Sequence, residues 1–280
     1  MPAADVAVRA VSRADLIDLS SVLDTVIEGD CLAILPRLPA ESVDMIFLDP
    51  PYFLQLPRKK LVRWGVRSEV ESPERDWDRF ASFAEYDAFV GGVLEECRRV
   101  MKPSATIWVI GTYHNIFRIG ALLQDLGFWI LNDVTWLKAN PMPNWLNVRM
   151  TNATETLIWA VRDRGCKDYV YNPAAAKEYS REDFGSKIAI NVWRLPLCSG
   201  RERLKGPDGK RLHPTQKPER LLERVISIST NPGDVVLDPM AGTGTTGVLA
   251  KRLGRRFVLI ERDPDYARAA RERLAAVDEE

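Results

Sequence analysis

Short apolar segments alternate with amphipathic segments along most of this chain of 280 residues. The apolar segments are rich in β-branched and aromatic residues and are bounded by Gly, Pro or Asp, which is typical of buried strands. The segments between them carry apolar residues three and four positions apart, which predicts helices. This alternation indicates an α/β fold with a mainly parallel sheet and helices on both faces. The predicted strands are 25–28, 43–48, 105–110, 235–237 and 257–260, and the predicted helices are 85–101, 115–126, 218–230, 245–253 and 264–275.

Three long segments follow neither period and are predicted to be loops. Residues 56–79 are rich in Arg, Lys, Glu and Pro, residues 139–153 are rich in Pro and Asn, and residues 196–216 contain three glycines. Long loops in compact domains are usually functional. Because no repeat or clean linker divides the chain, we expect one domain over residues 25–280, preceded by an extension over residues 1–24.

The amino-acid composition excludes several classes of protein. An apolar fraction of 46% and a charged fraction of 28% exclude a disordered or coiled-coil protein. The four cysteines form no C-x-x-C pair, so we expect neither a zinc ribbon nor a disulfide framework, and we predict no metal. No apolar run approaches the length of a membrane span, which favours a cytoplasmic protein without a membrane partner.

A glycine-rich turn connects a predicted strand to the helix after it. Residues 238–246 read Asp-Pro-Met-Ala-Gly-Thr-Gly-Thr-Thr, and we call this segment the glycine turn. Gly242 and Gly244 let a ligand approach the backbone, and the helix that follows offers free N–H groups. Glu261 ends the next strand, where an acidic residue binds ribose hydroxyls in nucleotide folds. The glycine turn therefore predicts a site for an adenosine-bearing molecule, and a turn without a ligand is the alternative.

Two phosphate-binding motifs fit the glycine turn less well. A Walker loop is excluded because no Gly-Lys-Ser/Thr follows. A dinucleotide site is given less weight as well, although Gly242, Gly244 and Gly247 have the spacing of the dinucleotide fingerprint.

A second turn, Asp-Pro-Pro-Tyr at residues 49–52, follows the predicted strand 43–48. Its two prolines restrict the backbone and remove two N–H donors, so this Asp-Pro-Pro-Tyr turn presents mainly acceptors and an aromatic ring. Such a surface suits a planar ligand with an amino group: Asp49 and the carbonyl of Pro50 accept its hydrogens, and Tyr52 stacks on its ring. A rigid surface turn is the alternative. Ligands of open α/β sheets bind at the edge where such strands end.

Taken together, these motifs resemble those of a known family. The Asp-Pro-Pro-Tyr turn and the glycine turn are similar to the catalytic and cofactor motifs of DNA amino-methyltransferases, and His-Pro-Thr-Gln-Lys-Pro at 213–218 is similar to a further cofactor motif. The order, with the catalytic motif first, is that of the circularly permuted β class. Three other segments resemble the cell-cycle-regulated adenine methyltransferases that modify GANTC: 108–118, 140–144 and 195–200.

The resemblance implies a Rossmann-like methyltransferase fold, S-adenosylmethionine as cofactor and double-stranded DNA as partner. The acceptor would be the exocyclic N6 of an adenine flipped out of the duplex. Four residues would be catalytic: Asp49 and Pro50 would accept the amine hydrogens, and Pro51 and Tyr52 would complete the base site. Asp rather than Ser before the prolines favours adenine N6, with cytosine N4 as the alternative acceptor. A catalytically silent DNA-binding partner subunit is the alternative from a different functional class.

The same resemblance implies a cofactor site. The glycine turn would line the methionine end, Glu261 would bind the ribose, and Asp30 would lie near the adenine. Thr215 and Lys217 would close the pocket, although a loop that caps the following helix is the alternative for these two. The implied cofactor-binding residues are Asp30, Cys31, Asp49, Thr215, Lys217, Asp238, Met240, Gly242, Thr243, Gly244, Thr245, Glu261 and Arg262.

DNA contacts are expected mainly from basic and polar residues in or near the predicted loops. For each of these residues an ordinary surface position is the alternative. The expected DNA-binding residues are Arg58, Lys59, Lys60, His114, Lys138, Asn140, Asn144, Trp145 and Arg149.

The formal net charge of zero conceals a segregation of charge. Residues 57–75 have a balance of +3 and residues 201–220 a balance of +4. Because phosphate contacts release counterions, we expect DNA affinity to fall steeply with salt, and we expect neutralisation of Arg58, Lys59 and Lys60 to weaken that dependence. Neutrality therefore excludes only a uniformly basic protein.

Two departures from the GANTC enzymes leave the target sequence open. The sequence stops at Glu280, where those enzymes continue into a further C-terminal domain, which we expect to be lacking here. It also carries a basic insert over residues 58–67. A homodimer and a companion restriction endonuclease are further expectations.

Overall fold

An eight-stranded, mainly parallel sheet organises the protein. The computed structural model describes residues 16–54, 62–63, 66–67, 76–144, 148–206 and 208–277. The strands are β1 (Thr25–Glu28), β2 (Val43–Leu48), β3 (Val62–Arg63), β4 (Val66–Arg67), β5 (Met101–Gly111), β6 (Trp129–Lys138), β7 (Thr154–Val161), β8 (Val192–Leu195), β9 (Val235–Asp238) and β10 (Arg256–Glu261). The sheet order is β1, β10, β9, β2, β5, β7, β6, β8, and β3 and β4 form a separate hairpin. Strand β7 is antiparallel to both of its neighbours, which makes the sheet mixed.

Helices cover both faces of this sheet, as the sequence predicted. Helices α2, α3 and α4 pack on one face, and α5 to α8 pack on the other. Short 3₁₀ turns are present at Leu35–Arg37 and Asp76–Asp78. None of the helices within the described residues combines the length and hydrophobicity that crossing a membrane requires. The helices are α1 (Leu19–Val22), α2 (Cys31–Ile34), α3 (Phe83–Val100), α4 (Ile116–Asp125), α5 (Pro173–Phe184), α6 (Glu219–Ser229), α7 (Thr245–Arg252) and α8 (Pro264–Ala276).

Strand β2 shows why the strand predictions succeeded. Met45 and Phe47 lie in the core under α5 to α8, whereas Ile46 and Leu48 lie in the core under α2 to α4, and each is at most 2% exposed. A central strand that is buried on both faces has a continuous apolar sequence, and residues 43–48 have this pattern. All five predicted strands and all five predicted helices are confirmed, with small differences at their ends.

Strands β6, β7 and β8 and helix α5 were not predicted from the sequence. Strand β6 carries Asn132 and Asp133 in its middle, and its register against β7 shifts between Ile130 and Asn132, so its apolar positions do not alternate. Helix α5 buries few side chains, among them Ala176 and Tyr179, and most of its residues are polar. Pairing and packing with distant elements decide the structure of β6 and α5, whose local patterns are weak. Strand β7 is different, because residues 157–161 form a continuous buried apolar run that is itself typical of a central strand.

The three predicted loops differ in how much regular secondary structure their described residues contain. In their described residues, 139–153 and 196–216 contain neither a helix nor a strand apart from an isolated bridge between Lys205 and Arg211. Segment 56–79 contains the β3–β4 hairpin and the 3₁₀ turn at Asp76–Asp78.

The topology brings the two sequence motifs together. Strands β2 and β9 are parallel neighbours, with Met45 opposite Val236, so the Asp-Pro-Pro-Tyr turn and the glycine turn leave the sheet side by side. Because β7 is antiparallel, its beginning lies at the same edge, where Thr156 pairs with Gly111 at the end of β5. Residues far apart in the sequence therefore meet at one edge.

Candidate active site

A cavity of about 550 Å³ opens where the Asp-Pro-Pro-Tyr turn meets the glycine turn. This volume lies within the range of small-molecule sites, which is roughly 300–1,000 Å³. All four residues of the Asp-Pro-Pro-Tyr turn line it. The predicted cofactor residues that line it are Asp30, Cys31, Asp49, Thr215, Lys217, Asp238, Met240, Gly242, Thr243, Thr245, Glu261 and Arg262.

The Asp-Pro-Pro-Tyr turn is held from behind by buried polar side chains. The carbonyl of Pro51 accepts a hydrogen bond from the Tyr86 hydroxyl at 2.9 Å and one from Asn115 Nδ2 at 3.3 Å. Asn115 Nδ2 also donates to the Tyr86 hydroxyl at 3.1 Å. These bonds tie the turn to α3 and to the start of α4, so its acceptors have fixed positions.

The residue after the turn has an uncommon backbone conformation. Phe53 has φ of +50°, which non-glycine residues rarely adopt. The Asp78 carboxylate accepts the N–H of Phe53 at 2.6 Å and that of Leu54 at 3.1 Å. Asp78 thereby stabilises the strained exit from the turn, a role that no local sequence pattern signalled.

Asp49 forms a largely buried ion pair with Lys217. Lys217 Nζ lies 2.6 Å from Asp49 Oδ2, and the two side chains are 8% and 18% exposed. The same ammonium lies 5.0 Å from the centre of the Tyr52 ring. Burial raises the pKa of Asp49, and the charge and hydrogen bond of Lys217 oppose that rise. The structure thus joins Lys217, expected to close the cofactor pocket, directly to the acceptor carboxylate.

Tyr52 is also held by a charged side chain. Its hydroxyl donates to Glu155 Oε2 at 3.1 Å, and Lys138 Nζ lies 2.9 Å from Glu155 Oε1. Burial, followed by the nearby Asp49 and Glu155 charges, raises the pKa of Tyr52 well above its usual value, so the phenol stays protonated. Lys138 is only 9% exposed in this pair, and its role as a DNA contact stays a prediction.

The glycine turn has a compact backbone. Gly242 and Gly244 have φ of +53° and +75°, which favours glycine at both positions. A Cβ atom on Gly244 would come 2.7 Å from the Cβ atom of Ala270, so this residue packs against α8 instead of lining the cavity. Gly244 is the one predicted cofactor residue outside the cavity lining, and its contact with the cofactor stays a prediction. Gly242 lines the cavity beside His213.

Two carboxyl groups organise the glycine turn. Asp238 accepts the Met240 N–H at 3.1 Å and the Thr246 hydroxyl at 2.5 Å, and burial raises its pKa to about 7. Glu261 Oε2 accepts the Gly242 N–H at 2.7 Å. Glu261 Oε1 accepts the N–H of Asp263 at 2.7 Å, and burial raises the pKa of Glu261. Glu261 thus shapes the turn and keeps acceptor capacity toward the cavity.

Asp30 and Cys31 form another part of the cavity wall at the start of α2. The Asp30 carboxylate accepts the Leu32 N–H at 2.8 Å and caps this short helix. Burial raises the pKa of Cys31 to about 12, so its thiol is neutral and acts as apolar lining.

A group of three aromatic side chains completes the cavity wall. His213 stacks on Trp77 with ring centres 6.4 Å apart and meets the edge of Tyr266 at 4.7 Å. All three side chains line the cavity. Trp77 and Tyr266 lie outside every recognised motif, so nothing in the sequence signalled them.

Eight further residues are expected to contact DNA, and the structure describes four of them. Asn140 and Asn144 brace loops: Asn140 Oδ1 accepts the Leu197 N–H at 2.7 Å, and Asn144 Nδ2 donates to the Arg149 carbonyl at 2.8 Å. The guanidinium of Arg149 donates to the Tyr113 hydroxyl and lies over that ring, next to His114. Four predicted contacts lie outside the described residues: Arg58, Lys59, Lys60 and Trp145.

The fold and the cavity define an S-adenosylmethionine-dependent methyltransferase. The residues fit this cofactor, because the Asp30 and Glu261 carboxylates in the cavity wall suit its hydroxyl and ammonium groups, and the Thr243 and Thr245 hydroxyls suit its carboxylate. The sequence profile described as DNA methylase, of the N6/N4 methyltransferases, matches residues 43–272. The chain therefore belongs to the N6/N4 DNA methylase family and is a DNA methyltransferase.

Named relatives and solved structures agree with this assignment. The chain is 45% identical to the type II methyltransferase M.HinfI of Haemophilus influenzae over 260 residues, which cover 93% of this chain and 70% of the relative. It is 40% identical to the type II methyltransferase M2.DpnII of Streptococcus pneumoniae over 257 residues, which cover 90% of each. The crystal structure of the M1.HpyAVI–SAM complex superposes with a TM-score of 0.63 at 27% identity, covering 89% of this chain and 98% of that one.

The fold is shared more widely than the acceptor base. The cytosine-N4-specific PvuII DNA methyltransferase superposes with a TM-score of 0.66 at 20% identity, covering 91% of this chain and 89% of that one. At this level of identity the likeness concerns the fold alone.

Proposed function

We propose that this DNA methyltransferase methylates the exocyclic N6 of an adenine flipped out of double-stranded DNA. The observation that carries the proposal is the shared cavity, in which the Asp49 carboxylate and the Tyr52 ring adjoin the glycine turn. Both side chains are largely buried, so a base can reach them only after it has left the helical stack.

In this proposal the chain positions and polarises the acceptor amine. An aromatic amine is a poor nucleophile because its lone pair is delocalised into the ring. Hydrogen bonds from the amine to Asp49 and to the Pro50 carbonyl favour a more pyramidal nitrogen, while Tyr52 holds the base. S-adenosylmethionine supplies a methyl group on a sulfonium sulfur, whose C–S bond breaks as the new C–N bond forms. We assign the cofactor to the glycine turn, Glu261 and the segment that begins at Asp30.

Cytosine N4 is the second candidate acceptor, because a cytosine-N4-specific enzyme shares the fold. The two amines present similar hydrogens, and the same turn could accept either. Asp49 at the first position of the turn favours adenine, as in the adenine methyltransferases that this sequence resembles.

We also propose a DNA-facing surface next to the cavity. Tyr113, His114 and Arg149 form a partly exposed aromatic and basic group at the edge where the Asp-Pro-Pro-Tyr turn lies. We place this surface and the cavity in one methyltransferase domain over residues 25–280. The homodimer and the companion endonuclease stay predictions.

Methyl transfer to DNA tests the proposed function. The protein is incubated with tritiated S-adenosylmethionine and duplex DNA from a host that lacks modified adenine and cytosine, and the labelled DNA is digested to nucleosides. We expect the label in N6-methyladenine. Label in N4-methylcytosine would establish the second candidate, and cofactor binding without transfer to any DNA would support the silent subunit. Sequencing the modified positions then identifies the target.

Glu261→Gln is predicted to weaken cofactor binding. Two backbone N–H groups face this carboxylate, and a glutamine would turn an amide donor toward one of them. The loss of a charged acceptor costs about 1.5–3 kcal/mol, so we expect the Kd for S-adenosylmethionine to rise about tenfold to 100-fold in calorimetric titrations.

The matched control is Glu28→Gln. Glu28 is paired in register with Glu261 on the neighbouring strand, but its carboxylate meets Arg271 at the surface, 3.2 Å away. We expect this variant to bind like the native protein. Equal affinities for the two variants would contradict the role assigned to Glu261.

A further inference from the structure

The hydroxyl of Tyr52 meets a buried charge pair that belongs to none of the recognised motifs. Tyr52 donates to Glu155 Oε2 at 3.1 Å, and Glu155 Oε1 binds Lys138 Nζ at 2.9 Å. The side chains of Lys138 and Glu155 are 9% and 10% exposed, and Tyr52 is 8% exposed. Both carboxylate oxygens of Glu155 therefore have a partner, and one partner is a residue of the base site.

The position of the pair follows from the one strand that reverses direction in this part of the sheet. Glu155 is the second residue of β7, and Lys138 is the last residue of β6, so both lie at the edge where β2 ends. Trp136 lies next to this pair, and Lys138 Nζ is 5.8 Å from the centre of the Trp136 ring. The indole N–H of Trp136 donates to the Leu195 carbonyl at 2.9 Å. The pair thus rests on a rigid part of the core.

A buried ion pair is weak evidence for a contribution to stability. Desolvation of two charges offsets much of their attraction, and apolar replacements of similar volume are often as stable. Here Lys138 binds one oxygen of Glu155, and the other oxygen, Oε2, accepts the hydrogen bond of the Tyr52 hydroxyl. An apolar pair would fill the space but would leave the phenol without that partner.

We propose that Glu155, held by Lys138, is a positioning residue that fixes the Tyr52 ring in the orientation that receives the flipped base. The inference rests on the proposed function. It also reassigns Lys138 from a DNA contact to a support for the base site. Lys217, 5.0 Å from the ring centre, contacts the same tyrosine, so the ring is held at its hydroxyl and at its face.

Two charge-neutral double variants separate the acceptor from the charge. Lys138→Met with Glu155→Met removes the pair and the acceptor, whereas Lys138→Met with Glu155→Gln removes the charges and keeps a carbonyl oxygen for Tyr52. We expect kcat for methyl transfer to fall about 100-fold in the first variant, as for other misplaced reacting groups, and to stay within about fivefold of native in the second. The Kd for S-adenosylmethionine should change little in either. Equal values of kcat in the two variants would overturn the proposal.

Tyr52→Phe provides a second readout. If Glu155 acts through the hydroxyl, adding Lys138→Met with Glu155→Met to Tyr52→Phe should not lower kcat further. Multiplicative losses would overturn the proposal, because they would mean that the pair acts independently of Tyr52. Arg224→Met with Asp183→Met is the structural control: this pair is also buried, with Arg224 Nη2 2.8 Å from Asp183 Oδ1, but it lies outside the cavity lining. We expect its kcat to stay within about twofold of native.

A spectroscopic measurement separates this inference from the proposed function. 3-Fluorotyrosine is incorporated at position 52, and its ¹⁹F NMR spectrum is recorded without cofactor or DNA. We expect one narrow resonance in the native protein and in the Gln variant, and a second or broadened resonance in the Met/Met variant. Identical spectra in all three would overturn the inference. Because this readout needs no turnover, it decides the role of Glu155 even if the native protein transfers no methyl group to DNA.

Discussion

Asp49→Asn is expected to reduce kcat for methyl transfer by about 10²–10³-fold, the scale on which removal of one preorganised polar group slows enzymes of other classes. The asparagine keeps one carbonyl oxygen but turns an NH₂ donor toward either Lys217 or the acceptor amine. Lys217 would also lose its ion-pair partner at 2.6 Å. The measurement is single-turnover transfer of tritiated methyl groups to duplex DNA.

Asp44→Asn is the matched control for this substitution. Asp44 lies near the start of β2, whereas Asp49 directly follows the end of that strand, and Asp44 also pairs with a lysine, Lys102, at 2.7 Å. We expect Asp44→Asn to lower the melting temperature somewhat and to leave kcat unchanged. If Asp49→Asn retained kcat within tenfold of native, Asp49 would not be the acceptor of the amine hydrogens.

Lys217→Met is expected to shift the acidic limb of the pH–rate profile to higher pH. Burial raises the pKa of Asp49 and Lys217 counteracts that rise, so removal of the lysine raises the pKa further. Because the proposed acceptor is the carboxylate, activity is lost as the pH falls through this pKa, and a higher pKa moves that loss upward. We expect kcat at pH 7 to fall about 100-fold, since the acceptor is also less well oriented, and to recover in part at alkaline pH.

Two further variants give this pH prediction its controls. Lys217→Arg keeps the positive charge and should keep the acidic limb near its native position. Lys102→Met removes the corresponding pair at the other end of β2 and should not move the profile. A Lys217→Met profile that coincides with the native one would show that Lys217 does not control the ionisation of Asp49.

The sequence predicted much of the fold because its central strands are buried on both faces. Segments such as 43–48 and 257–260 are apolar without interruption, and each is bounded by residues that favour turns. It missed the part of the sheet from β6 to β8, where Asn132 and Asp133 interrupt the apolar pattern and pairing between distant strands decides the structure.

The candidate site was predicted to a similar extent. Its turn residues were recognisable because two prolines and two closely spaced glycines are locally restrictive. The residues that support the turns were not recognisable: Asp78 stabilises the backbone after Tyr52, and Glu155 binds the Tyr52 hydroxyl. Such contacts join residues that are separated by 25 to 103 positions, and no local pattern encodes them.

The sequence by itself determined the motifs that this protein carries: the Asp-Pro-Pro-Tyr turn, the glycine turn and the elements that present them. The tertiary structure decided how those motifs are held. It made β2 and β9 neighbours, turned β7 so that Glu155 reaches Tyr52, and placed Lys217 on Asp49. The physical reason is that backbone restriction is a local property, whereas burial, ion pairing and the ionisation of a carboxylate depend on which distant residues share its surroundings.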